Sequence, residues 1–295
     1  MTAMDGTDEA LGIRFLAQTL IIQIVRRSVA MLYVRAPWLL RLHRPIIDRG
    51  RYRLRFSPCR FAILLYRYPS LRRDDEQFLT HYLKSGMTYV DVGANIGTTT
   101  LAAADAVGAD GTVIAFEPHP RTFRDLCDSV ALNPALAERI TLVAAAVGDS
   151  AGRARISNLP ENDVNHIDEA GIPVSMTTLD QALAAAPRID LLKVDVEGYE
   201  RNVLLGAGET LEKTSAIYFE NCEQNFVQFG YSGDDVFDLL EASGFACYAV
   251  DPVDFRLTVV TKGRRCVQGY ENLLALRDGG DPRKDRAFHA EALTC

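Results

Sequence analysis

The chain has 295 residues, of which 48% are hydrophobic and 24% are charged, and its net charge is −7 at pH 7. These values lie near the globular average, which excludes a disordered chain, a collagen-like repeat and a bundle of membrane helices. A chain of this length can bury a substantial core in one or two domains.

The N-terminal segment, residues 1–85, is basic. It holds 15 Lys and Arg against 7 Asp and Glu, whereas residues 86–295 carry 17 basic and 32 acidic residues. Residues 11–40 predict a helix that is apolar around most of its circumference, and the alternation in residues 51–68 predicts a strand or two. Two interpretations stay open: docking on the acidic remainder, where the segment helps to shape the acceptor site, or contact with an anionic membrane surface.

The cysteines and the first residues of the sequence indicate the cellular compartment of the protein. Six cysteines are scattered without a Cys-x-x-Cys pair or zinc spacing, so we expect reduced thiols and no metal site. The N-terminus opens with acidic residues, and the apolar segment 15–25 is too short to span a bilayer. We therefore expect a cytoplasmic protein, with peripheral membrane contact through the basic segment as the alternative.

From residue 86 onward, short apolar strands alternate with helices, a pattern typical of an α/β domain with a largely parallel sheet. The strands are predicted at 89–92, 112–116, 140–145, 191–194 and 216–219, followed by an antiparallel pair at 246–250 and 256–261. Helices are predicted at 98–106, 120–132, 199–206 and 234–242, with a polar insertion at 150–180. This gives a domain at 86–270 and a polar C-terminal tail at 271–295.

The strongest local motif is Val90-Asp-Val-Gly-Ala-Asn-Ile-Gly97, which follows a strand and opens a helix. Gly93 and Gly97 allow a sharp turn and a close approach of the backbone to a ligand. Asp91, at the strand end, is placed to face a cation or an amine. The glycine spacing does not fit Gly-x-Gly-x-x-Gly, which disfavours a dinucleotide enzyme.

A second motif, Phe116-Glu-Pro-His-Pro120, ends the next strand with Glu117. In nucleotide-binding sheets an acid at this place accepts hydrogen bonds from ribose hydroxyls. Glu117 can instead be a helix N-terminal acid before Pro120. On consecutive strands, the two motifs together indicate a nucleoside ligand at the carboxyl edge of the sheet.

A third motif, Asp190-Leu-Leu-Lys-Val-Asp-Val-Glu-Gly-Tyr-Glu200, places Asp195 and Glu197 after the fourth strand. In a doubly wound sheet this strand lies beside the first, next to the ligand crevice. Two acids at this place repel each other unless they are paired or face a cation, which favours a functional role over a purely structural one.

In this order and spacing, the three motifs resemble the signature of FkbM-type methyltransferases, class I O-methyltransferases that use S-adenosylmethionine (SAM). The resemblance covers residues 86–265. It implies a Rossmann-like sheet of seven mostly parallel strands with the last antiparallel, behind a helical, basic N-terminal extension. The positions that match SAM-binding residues are Asp91, Gly93, Asn95, Gly97 and Glu117, and those that match the motif beside the methyl group are Asp195, Glu197 and Gly198.

The expected reaction is methyl transfer from SAM to a hydroxyl group of a sugar, a glycan, lipid-linked or free, or a natural product. Acids around the site stabilise a sulfonium cation, and a hydroxyl nucleophile benefits from a nearby base. Four residues are candidates for catalysis: Asp195, Glu197, Glu220 and His166, of which the last lies in the insertion. Alternatives are a nucleic-acid methyltransferase, disfavoured by the acidic domain, and a non-catalytic module that binds SAM or a partner.

Overall fold

The computed structural model describes residues 45–159, 164–263 and 269–277, together with Cys266 and isolated residues between 28 and 36. Most of the helix predicted at 11–40 and residues 278–295 of the expected tail lie outside the described residues. Within the described ranges, no helix combines the length and the apolar character needed to cross a membrane.

The described residues alternate between strands and helices as the sequence predicts from residue 86 onward. The strands are β1 (Ile46–Asp48), β2 (Arg53–Arg55), β3 (Thr88–Val92), β4 (Thr112–Phe116), β5 (Ile140–Val143), β6 (Ala146–Val147), β7 (Gly152–Ile156), β8 (Ile172–Thr177), β9 (Leu191–Val194), β10 (Ala216–Asn221), β11 (Phe245–Val250), β12 (Leu257–Val259) and β13 (Glu271–Arg277). The helices are α1 (Arg60–Arg67), α2 (Arg73–Tyr82), α3 (Thr98–Ala106), α4 (Pro120–Ala131), α5 (Pro134–Ala137), α6 (Leu179–Ala182), α7 (Glu200–Leu205), α8 (Gly208–Glu212), α9 (Glu223–Val227) and α10 (Gly233–Ala242).

The central sheet has eight strands in the order β12-β11-β13-β10-β9-β3-β4-β5. Strands β10, β9, β3, β4 and β5 are parallel, and β13 runs antiparallel between β10 and β11. The predicted α/β Rossmann-like sheet of seven strands with the last antiparallel is therefore confirmed, and β12 adds an eighth strand at the edge. Because the carboxyl ends of β3, β4, β9 and β10 lie at one edge, the three sequence motifs meet there.

The assignment of residues 271–295 to a polar tail is wrong for residues 271–277. This segment is strand β13, which pairs with β10 over six residues and with β11 over five. Leu273, Leu274 and Ala275 are fully buried. The polar residues around this short apolar run concealed a strand whose partners lie far away in sequence.

Residues 45–85 of the N-terminal segment pack into the same core as the rest of the domain. Leu54, Phe56, Leu65 and Leu79 are fully buried in one cluster with Tyr89 of β3. For residues 45–85 the structure therefore has the docked arrangement, and residue 85 does not separate two cores. Strand β2 confirms one strand within residues 51–68, but residues 60–67 form helix α1, whose first turn is capped by the Sγ atom of Cys59.

The insertion between β5 and β9 contains a small sheet. Strands β6, β7 and β8 pair in the order β6-β8-β7 around Ala146, Ile156 and Val174. The end of the polar loop, residues 164–167, lies beside the carboxyl edge of the central sheet. The insertion thereby supplies one wall of the cavity described next.

Candidate active site

A cavity of about 440 Å³ lies at the carboxyl edge of the central sheet. Its walls come from the turns after β3, β4, β9 and β10, from the insertion, and from the N-terminal segment through Arg60, Phe61 and Arg72. Gly269 and Tyr270, just before β13, complete it. Segments that precede and follow the three sequence motifs in the chain therefore also contribute to the site.

In the turn after β3, the glycine allows a close approach to the protein's own backbone at Asp195, and the predicted approach to a ligand stays a prediction. Gly93 has φ 85°, and Asn95 is also left-handed at φ 51°. A Cβ atom on Gly93 would lie 1.8 Å from the carbonyl oxygen of Asp195. The N–H groups of Gly93 and Ala94 both donate to the carbonyl oxygen of Phe116, at 3.1 and 3.0 Å. Backbone bonds to β4 thus hold this turn against the turn after β9.

Glu117 lies at the end of β4, where its carboxylate is held by backbone donors. The N–H of His119 donates to Oε1 at 2.9 Å, and the N–H of Asn95 donates to Oε2 at 3.0 Å. Burial raises the pKa of Glu117 to about 7, although both hydrogen bonds act to lower it. The helix-cap alternative is not what the structure shows, because His119 caps α4 instead.

Asp91 and Gly97 stand behind the cavity wall and do not line it. Asp91 is fully buried, and its Oδ2 atom accepts hydrogen bonds from Thr99 and Thr100 at 2.9 and 2.7 Å. Gly97, at φ 97°, precedes α3, and a Cβ there would lie 2.8 Å from Leu126. In the described structure both residues support the turn that faces the cavity, and the amine opposite Asp91 belongs to Lys193.

Two cations beside the site were not singled out by the sequence reasoning. The Nζ atom of Lys193 lies 3.2 Å from Asp91 Oδ1 and 3.4 Å from Asp195 Oδ2. Arg72 precedes α2 with φ 58° and pairs with Asp75 at 3.3 Å. A charged residue within the otherwise apolar run of β9 is a sequence signal for Lys193, whereas nothing local distinguishes Arg72 from the other arginines of its segment.

Three of the four catalytic candidates converge on one part of the cavity wall. Carboxylate oxygens of Asp195, Glu197 and Glu220 lie within 4.8 Å of one another. The Nδ2 atom of Asn225 donates to Glu197 at 3.1 Å and to Glu220 at 3.4 Å. Acids this close repel each other, and Lys193 and Arg72 supply positive charge beside them.

The carboxyl groups in this cluster ionise at different pH values. Burial, followed by the charges of Asp195 and Glu197, raises the pKa of Glu220 to about 9. Burial alone would raise the pKa of Asp195, but Lys193 and Arg72 lower it below its ordinary value. At neutral pH the site therefore holds an ionised Asp195, which can accept hydrogen bonds, beside a protonated Glu220, which can donate one.

His166 lines the cavity from the insertion. Its backbone N–H donates to the Oγ atom of Ser157 at 3.1 Å, and its Nδ1 atom lies 3.1 Å from the carbonyl oxygen of Val164. These bonds anchor His166 within its own loop, on a wall formed by a different part of the chain from the three acids. Its use as a base stays a prediction.

The chain is similar to known methyltransferases in sequence. The family model described as the methyltransferase FkbM domain matches residues 91–247. Hexuronic acid methyltransferase AglP of Haloferax volcanii is 29% identical over 137 residues, which are 44% of this chain and 54% of AglP. The chain thus spans about half the length of this curated relative.

Solved structures of methyltransferases resemble the fold at low sequence identity. Methyltransferase FkbM from Methylobacillus flagellatus is 13% identical with a TM-score of 0.44, and the match covers 77% of this chain and 56% of that one. A SAM-dependent O-methyltransferase from Thermotoga maritima is 18% identical with a TM-score of 0.43, covering 72% and 71%. The family match extends over more than half of the chain, and the protein belongs to the FkbM methyltransferase family.

Proposed function

We propose that the protein transfers a methyl group from SAM to a hydroxyl group of a sugar or a sugar-containing acceptor. The observation behind the proposal is a single cavity that joins the Gly93 turn and Glu117 to the acids Asp195 and Glu220. Membership of a methyltransferase family supports methyl transfer. The sugar acceptor is supported by the relative named as a hexuronic acid methyltransferase.

The residues around Glu117 fit the nucleoside part of SAM. A carboxylate has about four lone-pair directions, and backbone N–H groups use one on each oxygen of Glu117. Glu117 also lines the cavity, so its remaining lone pairs are available for the two ribose hydroxyls. The backbone of the turn after β3 lines the cavity at Gly93, Ala94 and Asn95, so its polar groups stand beside the same ligand.

The acids Asp195 and Glu220 fit the reacting groups of a methyl transfer. When bound, SAM supplies a methyl group attached to a positively charged sulfur. Asp195, an anion that lines the cavity, would accept the proton that an acceptor hydroxyl loses when it takes the methyl group from sulfur. Protonated Glu220 donates a hydrogen bond that orients the acceptor. In-line positioning of this kind accounts for several kcal/mol of a typical barrier reduction.

The acceptor wall suits a hydroxyl-rich ligand. Arg72 and Gln224 offer donors, and the carboxyl groups offer acceptors. The guanidinium carbon of Arg72 lies 5.4 Å from the ring centre of Tyr270, a half-exposed aromatic face at the mouth. A few converging polar groups beside an aromatic ring are typical of sites that orient a small polar molecule.

The test is transfer of label from methyl-labelled SAM to a panel of acceptors: neutral hexoses, hexuronic acids, lipid-linked sugars and RNA. We expect label in a sugar, in an alkali-stable ether linkage; an alkali-labile product would identify a carboxylate ester and contradict the hydroxyl acceptor. Asp195→Asn should lose most turnover, whereas Asp110→Asn, an exposed aspartate, should not. Label confined to RNA, or SAM binding without transfer to any acceptor, would overturn the proposal.

A further inference from the structure

Lys193 lies in the centre of the sheet, where a charge requires partners. Lys193 is 6% exposed, and in the strand register it is opposite Asp91 of β3 and Tyr218 of β10. Taking an ammonium group out of water costs several kcal/mol unless ion pairs and hydrogen bonds compensate for the loss. A lysine at this position therefore implies a strict set of acceptors around Nζ.

The acceptors of Lys193 belong to three separate parts of the site. Nζ donates to the carbonyl oxygen of Gly93 at 3.3 Å and pairs with Asp91 at 3.2 Å and Asp195 at 3.4 Å. The Nζ atom thus combines one hydrogen bond to the backbone with two ion pairs to carboxylates. Lys193 lines the cavity, and the contacts that the structure gives its Nζ atom are with these three residues of the protein.

The contact between Gly93 and Asp195 means that Lys193 bridges two turns that already touch. The backbone at Gly93 touches the backbone at Asp195 so closely that no side chain fits between them. Lys193 bonds to the first of these turns through a carbonyl oxygen and to the second through a carboxylate. One side chain therefore links the turn on the nucleoside side to the acid on the acceptor side.

We propose that Lys193 is a positioning residue that keeps the Asp195 carboxylate ionised and at a fixed place relative to the Gly93 turn. The inference rests on the proposed function in taking Asp195 as the proton acceptor. The ion pair itself can be examined without any methyl transfer, so the two proposals can fail separately.

The charges around Asp195 indicate what removal of Lys193 would do. The groups that face Asp195 from the packed elements are Lys193, Arg72, Asp91, Glu197, Glu200 and Glu220. Burial alone would lower the pKa of Lys193, but Asp91 and Asp195 raise it above its ordinary value, so it is charged at any working pH. Without Lys193, Arg72 would be the single cation among four other carboxyl groups in this described set.

The experiment is a titration of Asp195 in the full chain without SAM or acceptor. Carboxyl ¹³C signals of labelled aspartates are followed with pH, and the Asp195 signal is assigned by its loss in Asp195→Asn. Lys193→Gln removes the charge while its amide can still donate hydrogen bonds. We expect the pKa of Asp195 to rise by about 1–3 units in Lys193→Gln, the range for loss of one neighbouring opposite charge. Lys213→Gln is the matched control, because Lys213 bonds to a backbone carbonyl oxygen, that of Leu183.

Activity gives a second readout. In a plot of turnover against pH, the acidic limb should move to higher pH in Lys193→Gln by the same interval as the pKa of Asp195. The affinity for SAM should change less than about threefold, since backbone bonds to Phe116 also hold the Gly93 turn. If Lys193→Gln does not fold, the titration is made on the double variant Asp91→Asn/Lys193→Gln. In this variant Asp91, the other carboxylate that pairs with Lys193, is also neutral, so no buried charge is left unpaired at that position. An unmoved Asp195 pKa in the folded variant would overturn the inference, whatever the acceptor proves to be.

Discussion

The carbonyl oxygen of Asp195 fills the space in which a side chain on Gly93 would have to lie, 1.8 Å from its ideal Cβ position. The two residues are about a hundred positions apart in sequence, yet each directly follows one of two adjacent parallel strands, β3 and β9. The requirement for glycine in the first motif therefore comes partly from the third. The turn on the nucleoside side and the turn on the acceptor side fit together as one unit.

Gly93→Ala should be markedly more harmful than Gly86→Ala. Both glycines have positive φ, 85° and 83°, so both variants bear the left-handed strain of about 1–2 kcal/mol. Nothing lies within 4 Å of a Cβ on Gly86, whereas backbone atoms obstruct one on Gly93. We expect Gly93→Ala to lose about 1–3 kcal/mol more of the free energy of unfolding, through overpacking, and to weaken SAM binding. Urea unfolding and calorimetry measure both, and equal losses in the two variants would contradict the packing account.

SAM affinity should depend on pH through Glu117. The pKa of this carboxyl is about 7 in the free protein, and ribose hydroxyls that donate to it favour the ionised form, so binding lowers that pKa. Below about pH 7 binding must release a proton, and affinity should fall by up to about tenfold per pH unit; above it, affinity levels off. Calorimetry in two buffers of different ionisation enthalpy counts the released protons.

Glu117→Gln provides the comparison. The amide cannot ionise, so the pH dependence should flatten, and loss of charge-assisted bonds should weaken SAM binding by about tenfold to a hundredfold. The exposed Glu138→Gln should leave both quantities as they are. Affinity that keeps its pH dependence in Glu117→Gln would show that another group titrates.

The sequence predicted the site residues that directly follow a short apolar strand, because such a strand can be identified from neighbouring residues alone. The turn at Gly93, the acid Glu117 at the end of β4, and the acids Asp195 and Glu197 each follow a short apolar strand, and the parallel sheet brings those strand ends together. Glu220 was placed correctly for the same reason, at the carboxyl end of β10.

The features that the sequence did not reveal depend on pairing across long distances. Strand β13 is buried because β10 and β11 flank it, and neither neighbour is apparent from residues 271–277 alone. The role of Lys193 needs the register that places it opposite Asp91. Arg72 reaches the cavity only because α2 packs beside β10, where Phe78 stacks on Tyr218 at 4.5 Å.

The shared core predicts that residues 45–85 are essential for the stability of the whole domain. Phe78 is 2% exposed and its ring stacks on Tyr218 of the central sheet. Phe78→Ala should lower the free energy of unfolding by about 3–5 kcal/mol, the usual cost of such a cavity, in one cooperative transition. Val253→Ala, at a site 87% exposed, should change it by less than about 0.5 kcal/mol. Two separate transitions followed by circular dichroism would instead indicate that residues 45–85 fold as their own unit.

Glu200 should make the protein less stable as pH rises. It is fully buried at the start of α7, where its Oε1 atom accepts a hydrogen bond from the N–H of Val196 at 2.9 Å. Burial, with a smaller contribution from Glu220, raises its pKa to about 8. In the unfolded chain a glutamate has a pKa of about 4.3, so between these values the folded state holds a proton that the unfolded state lacks.

The sign of the effect follows from that difference in bound protons. The contribution of Glu200 is fully present below about pH 4 and is lost progressively up to about pH 8, at no more than about 1.4 kcal/mol per pH unit. Glu200→Gln keeps an acceptor for Val196 and removes the titration, so its free energy of unfolding should fall less steeply between about pH 5 and pH 8 than that of the unaltered chain. Glu209→Gln, at an exposed position on α8, should retain the original slope. Urea unfolding at a series of pH values gives the slopes, and a Glu200→Gln slope equal to that of the unaltered chain would mean that Glu200 is ionised in the folded protein and that its buried carboxylate has found other compensation.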